Sequence, residues 1–370
     1  MTIITPEVKS FDKDITKLAA AYKSNTTPNN IHFIQKKILS TKNPKNIDKE
    51  CGIIGFSYDF REKNHSATIQ KLNELSPPRG PLKNLYKEKI QESKLKLQML
   101  GALGTNEFVD RSEDLYGYPD KKLIDKAYSI LELKPSPEGN SIKTIDAKKI
   151  LRQKLKEMQI PWKIKTKKLI NYANIATSKE IITLSSNHVF SEKTINRLAV
   201  HEIGTHGVRY MNARLQPLKI FKNFPNYLAT EEGLAAFNEE INGFLNNDTL
   251  RRYAGRVVAI EYAQNHTLTE TYQFLQKYFT DANALSIALR VKRGLANSES
   301  LGAFTKDHVY LKGFFEIKKY VQKHPLQYLY YGKVGVEYIK LLKKLEPELA
   351  PIKYFPPLVV NYDKRKEILD

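Results

Sequence analysis

Apolar positions recur at three- and four-residue intervals along most of the chain, which makes the amphipathic helix its default element. The clearest case is 82–101, where Leu82, Leu85, Ile90, Leu95, Leu97 and Leu100 predict a long, lysine-rich helix. Shorter helices are expected within DKDITKLAAAYKS, over 67–75 ahead of Pro77, Pro78 and Gly80, from Pro119 to about Leu133, and from Thr144 or Asp146 to about Met158. Asn29 and Asn30 close a short helix-loop-helix near the N-terminus. Beyond Glu240 three helices begin with Asp248, Thr267 and Asp281 at N-cap positions, and Gly294 closes the third. Another helix starts near Thr305, and a last one ends near Pro351.

Strand patterning is sparser. CGIIGFSYDF, from Cys51, reads as a strand or extended piece. Alternation at Trp162 and Ile164, then Leu169 and Ile170, gives one strand, and EIITLS at 180–185 gives another across the polar 177–179. The pair reads as a β-hairpin or a meander. After Pro356 and Pro357 a β-branched run suggests a surface-clamped strand or an extended terminus. KPSPEGNS, 134–141, is linker-like, so the expected organisation is a helical and mixed α/β N-terminal region over 1–135, packed on a domain over 142–370. The fold class is α+β, mostly helical, with a small β-sheet.

Composition adds charge to this picture. The chain has 370 residues and 60 basic against 40 acidic side chains, a net charge of +20. Such a field favours acidic partners. The basic residues are mostly lysines spread over every segment, without an arginine-rich run or a nucleic-acid motif, so they read as solvated helix faces and no nucleic-acid partner is expected. Cys51 is the sole cysteine, which excludes an intrachain disulfide and leaves a buried, inert thiol as its default. MTIITPEVKSFDKD lacks the basic lead and apolar core of a secretory signal, and no apolar run reaches the length of a membrane span. A cytoplasmic setting without a membrane partner is therefore expected.

The candidate chemistry is concentrated in 191–242, where HEIGTH is followed by TEEGLAAF. Two imidazoles and a carboxylate are what a catalytic Zn2+ takes from a protein when its fourth position stays open. His201 and His206 are five residues apart, about 140° round a regular helix and too wide to grip one ion. One π-type turn brings the second ring back to the first, so a bulge is expected across 203–205, eased by Gly204. HExxxH alone also fits an amphipathic helix with two half-buried histidines; the second helix, headed by Glu231, Glu232 and Gly233, makes a metal site the better reading. Either acid could be the third ligand, and Glu231 otherwise an outer partner of a histidine. Glu239 and Glu240 are further outer candidates, with solvated helix charge as their default. Asn187 and His188 lie where they could reach a substrate laid along the strand, or form a turn ahead of the N-cap Ser191. Tyr116 and Tyr118 read as core or turn-packing aromatics rather than pocket residues.

HEIGTH with TEEGLA, together with FVDRSEDLYGYP upstream and ALRVKRGLA, GAFTKDHVYLKG and YYGK downstream, resembles the bacterial proteins known by a QEGLA motif. Through the same motifs the chain is similar to the eukaryotic microtubule-associated tyrosine carboxypeptidases, over roughly residues 50–345. Glu231 stands where QEGLA has Gln, so Glu232 aligns with the constant acid. The resemblance implies a mostly helical zinc-metallopeptidase-like catalytic domain with a small sheet beside the HExxxH helix. It also implies removal of a C-terminal residue, tyrosine in the eukaryotic relatives, without implying tubulin as substrate. His201, His206 and Glu232 would then hold Zn2+, with Glu202 as general acid and base. Arg290, Arg293 and Lys306 are candidates for the terminal carboxylate, Arg293 first, and Tyr310 for the oxyanion. His308 is expected to be an exposed helix histidine. The expected partner is a peptide or protein C-terminus, with acidic tails favoured; oligomeric state is not legible. A zinc-containing regulatory or protein-binding module is the rival reading, and endopeptidase cleavage a third.

Overall fold

The computed structural model describes residues 2–20, 25–41, 50–58, 65–136, 139, 141–169 and 172–356. The architecture is mostly helical with one small sheet. The first helices, Pro6–Ala20, Ile31–Leu39, His65–Glu74 and Lys83–Gly101, follow the predicted amphipathic segments within a few residues. Glu107–Tyr116, Lys121–Leu131 and Thr144–Glu157 follow, the second of these capped by the Asp120 carboxylate, which accepts from the Leu123 amide. Residues 54–58 form an extended strap rather than a strand: Phe56 N–H donates to Ala296 at 2.8 Å and Ser298 N–H to Ile54 at 2.9 Å, with one bridge between Gly55 and Asn297. Cys51 is half-buried beside it.

The sheet corrects the hairpin expectation in part. Its strands are β1 (Lys163–Lys167), β2 (Ala173–Ala176) and β3 (Ile181–Ser185), in the order β1-β3-β2. β2 and β3 form the antiparallel hairpin across 177–179, whereas β1 pairs in parallel with the other edge of β3. Alternating apolar residues bury the same face whichever way a strand runs, so the pattern located β1 and β3 but left their direction open, and it did not mark the short β2. Of the alternating positions upstream, Ile170 lies outside the described residues, as does the β-branched run after Pro357.

Downstream come Leu228–Ile241, Asn247–Ala263, Leu268–Leu275, Asp281–Val291, Val309–Val321 and Ile339–Leu345. Thr267 caps its helix in a full capping box with Glu270, as its position predicts. The two neighbouring caps shift: the Asn246 side chain, not Asp248, accepts from the Thr249 amide, and Asp281 lies inside its helix with Thr280 at the N-cap. Gly294 ends the third helix with φ at +87°, a conformation glycine adopts freely.

The largest hydrophobic cluster runs through much of the chain, with Val8 and Leu85 in the same body as Leu184, Phe237, Leu311 and Leu342. At its centre Leu228–Ile241 crosses Val309–Val321 with backbones touching. A Cβ on Gly233 would lie 2.6 Å from the Gly313 Cα, and one on Gly313 would run into the Ala229 carbonyl. The glycine of EEGLA is thus a packing requirement that sets where the acids before it point. Among the described residues no helix is long and apolar enough to cross a membrane.

Candidate metal centre and substrate cavity

The Ser191 hydroxyl accepts from the Thr194 amide and starts the helix Glu192–Leu198, which passes directly into a π-helical segment, Ala199–Gly207, before regular turns resume at Val208–Leu215. The distortion is of the expected kind but extends well beyond 203–205. Its pitch shows in the Val208 amide, which donates to the Ile203 carbonyl five residues back. The wider turn sets the His201 and His206 rings side by side, centroids 4.9 Å apart, both nearly buried.

Glu232 reaches them from the helix Leu228–Ile241. Its Oε2 lies 3.7 Å from His201 Nε2 and 3.8 Å from His206 Nε2, and donor atoms of the three residues all fall within 4.8 Å of one another. The opposite ring nitrogens are engaged: His201 Nδ1 bonds Glu239 and His206 Nδ1 bonds Glu231, each at 2.7 Å. Donation from Nδ1–H to a carboxylate fixes the tautomer and leaves the Nε2 lone pairs facing the shared space. Donors around a four-coordinate zinc at about 2.0–2.1 Å sit roughly 3.3 Å apart, so the two distances from Glu232 fit that ion after a contraction of a few tenths of an ångström.

The electrostatics point the same way. Burial acts to raise the Glu231 pKa, but Lys333, Arg209 and His206 overcome it and hold the carboxyl well below its usual range. Burial likewise opposes ionisation of Glu232 and is outweighed by the two histidines, leaving a pKa of about 2. Burial is overcome at Glu239 as well, by Arg197 and His201, and its pKa is lowered. Burial disfavours a charged His201, yet the carboxylate of Glu232 close by, the hydrogen bond to Glu239 and the negative charge of Glu239 and Glu202 lift its pKa to about 10. Three ionised carboxylates thus surround the two imidazoles.

Two expectations for side chains near this cluster are corrected. Glu239 is not solvated: it is fully buried, bonded to His201, 3.0 Å from Arg197 Nη1, and accepts from the Tyr253 hydroxyl at 3.3 Å. Its neighbour Glu240 does behave as surface charge, paired with Lys318 at 2.8 Å. His308 is buried rather than exposed, because the turn Thr305–His308 is packed into the core and its Nδ1–H donates to the Thr305 carbonyl at 2.7 Å. The sequence reading also missed Arg209 and Lys333. Arg209, wholly buried, bonds Glu231 through Nη1 and the Leu329, Gly332 and Val334 carbonyls through Nε and Nη2. Lys333 meets Glu231 at 3.1 Å. Arg209 one turn after His206 and Lys333 within YYGK were the available signals.

A cavity of about 900 Å³ opens beside the cluster, and His201, Glu202, Tyr310, Arg290 and Asn187 are among the residues that line it. Lys167, Lys168, Arg197, Arg252, Arg256 and Arg290 line it, against the one carboxylate, among the described residues, of Glu202. Tyr310 stacks on Tyr253 with centroids 5.4 Å apart, and the Arg256 guanidinium lies 4.4 Å over the Tyr310 ring. Burial pushes the Tyr310 pKa up. Arg290 Nε donates to Asp307 at 2.6 Å, and although burial opposes it, Arg290, Arg293 and Arg256 keep that carboxyl well below its usual range. Arg293 sits 3.5 Å from Asp307 and over the Phe304 ring, and neither it nor Lys306 is among the residues lining this cavity. Burial draws the Lys306 pKa down, against the pull of Asp307 and Glu232. Asn187 combines its two expected places: it lines the cavity while its Oδ1 accepts from the Ser185 hydroxyl at 2.6 Å and the Leu169 amide at 3.2 Å. Tyr116 packs edge-on against Phe304, as a core aromatic.

The family model described as microtubule-associated tyrosine carboxypeptidase matches residues 40–370. Microtubule-associated tyrosine carboxypeptidase 1 of Rattus norvegicus is 32% identical over 150 residues, 39% of this chain and 32% of the relative. Putative tyrosine carboxypeptidase MATCAP2 of Homo sapiens is 30% identical over 191 residues, 49% of this chain and 36% of the relative. The chain spans about a third of the length of these curated relatives. With most of its length matched by the family model, the chain belongs to the microtubule-associated tyrosine carboxypeptidase family.

Proposed function

We propose that this protein is a zinc-dependent carboxypeptidase that removes a C-terminal residue, tyrosine or another aromatic, from a peptide or protein. The observation that carries the reading is the convergence of two imidazole Nε2 atoms and the Glu232 carboxylate beside a cavity lined by Glu202. Zinc held by His201, His206 and Glu232 would supply a Lewis acid for the scissile carbonyl and lower the pKa of a water. Glu202 takes the proton of the attacking water and delivers it to the leaving amine. Tyr310, kept protonated by burial, donates a hydrogen bond to the oxygen that gains charge. Arg290, oriented by Asp307, is the cavity-lining candidate for the terminal carboxylate, with Arg293 and Lys306 as further candidates.

The cationic lining supports acidic residues upstream of the scissile bond, and the microtubule association of the relatives supports a cytoplasmic setting. A zinc-containing module without catalysis is the rival, and Glu202 on the cavity wall favours the enzyme, since a closed structural site has no use for a neighbouring base. The test is to incubate wild type and Glu202→Gln with zinc and a C-terminal peptide library, reading products by mass. Wild type should give single-residue losses, and the variant should keep its zinc while cleavage falls about 10²–10⁴-fold. Normal processing by the variant would contradict the mechanism. Internal products from peptides with blocked C-termini would identify an endopeptidase.

A further inference from the structure

The helix Ile31–Leu39 forms part of the cavity wall, yet it ends just before residue 40, where the family match begins. Its two faces are cleanly divided. Ile31, Ile34 and Ile38 are buried in a cluster with Ile260, Leu285 and Leu289, so the helix is seated partly on Asp281–Val291, the helix that brings Arg290 to the cavity. His32, Gln35 and Leu39, at helical spacing on another face, line the cavity. The helix is tied at both ends. Asn30 donates from Nδ2 to the Gly55 carbonyl at 2.9 Å and accepts from the Ser57 amide at 3.1 Å, while Lys37 Nζ donates to the Cys51 carbonyl at 2.6 Å.

A terminal residue alone would fill only a fraction of a cavity of about 900 Å³, a volume at the upper end of that of small-molecule pockets. On the peptidase reading the remainder is room for the chain that precedes it. We propose that Ile31–Leu39 is a specificity wall, and that His32 and Gln35 hydrogen-bond an extended peptide several residues upstream of the residue removed. Both side chains offer donor and acceptor groups, suited to backbone amides and acidic side chains alike. Because buried isoleucines and end contacts hold the helix, these groups are presented in a fixed place, which is what makes a weak contact selective.

The inference rests on the peptidase reading of the cavity, and its test separates the two. Fluorescently labelled peptides of two to eight residues with a common C-terminus are titrated into zinc-loaded protein carrying Glu202→Gln, which leaves them intact. Affinity should climb with length, and His32→Ala with Gln35→Ala should remove the last step of that climb, about tenfold for two lost hydrogen bonds. Gln35→Glu, on the same intact helix, should turn preference away from acidic upstream residues. An identical length dependence and acid preference in parent and variants would overturn the role of the helix and leave the peptidase reading standing. If no peptide of any length binds the parent, the peptidase reading fails and the inference with it.

Discussion

On one side of the cleft Glu231, Glu232 and Glu239 surround two histidines, and each acid is matched: Glu231 by Arg209, Lys333 and His206, Glu239 by Arg197, Tyr253 and His201, and Glu232 by the facing Nε2 atoms. On the other side Arg256, Arg290 and Arg293 share Asp307. There, among the described residues, the buried Nε and Nη1 of Arg256 and the Oδ1 of Asp307 have no hydrogen-bond partner. Buried polar groups are normally satisfied, and of these two residues Arg256 lines the cavity whereas Asp307 does not. The first side is matched acid for acid by cations and imidazoles, and the second carries three guanidinium groups around one carboxylate. The crossing of Gly233 with Gly313 joins them, because Leu228–Ile241 carries Glu231, Glu232 and Glu239 and Val309–Val321 carries Tyr310.

Breaking the histidine side should have the largest effect. His206→Ala removes a direct donor and should weaken zinc binding by more than the roughly 100-fold that bounds loss of an outer partner, with cleavage lost alongside; equilibrium dialysis against zinc measures it, and unchanged uptake would exclude His206 as a ligand. On the arginine side, Tyr310→Phe should lower kcat about 10²–10³-fold while zinc content stays at wild-type level, a separation that steady-state kinetics and metal analysis read together. Gly233→Ala should strike both sides by pushing two helices apart. A loss of about 3 kcal/mol in unfolding free energy is expected from denaturant titration, and a loss below about 0.5 kcal/mol would mean that the crossing relaxes freely. The smallest effect is expected from Glu239→Gln, which keeps the shape of the His201 partner but not its charge. Zinc affinity should fall about tenfold, and activity should return when zinc is raised.

The same contrast explains what the chain revealed in one dimension. The i, i+5 histidines demanded a widened helix, and Gly204 and the following acids are local features, so the π segment and the gathering of His201, His206 and Glu232 were legible. Glu239 was not. It lies beside another acid on the same helix, and only the packing of Arg197 and Tyr253 from other helices distinguishes the buried one from the solvated one. His308 was misread for a similar reason, since burial of the Thr305–His308 turn depends on elements far away in sequence. Arg209 and Lys333 belong to no ligand spacing; they matter because a buried Glu231 needs positive partners, a requirement visible only once its burial is known. The parallel pairing of β1 with β3 was hidden because alternation records a face and carries no direction.

The most direct test of the central claim is X-ray absorption at the zinc edge on protein loaded with one equivalent of the metal, for wild type and for Glu232→Gln. The expected wild-type spectrum has two imidazole nitrogens and light oxygen donors at about 2.0–2.1 Å, with one oxygen altered in the variant. Absence of stoichiometric zinc uptake, or a zinc shell without two imidazoles, would contradict the account.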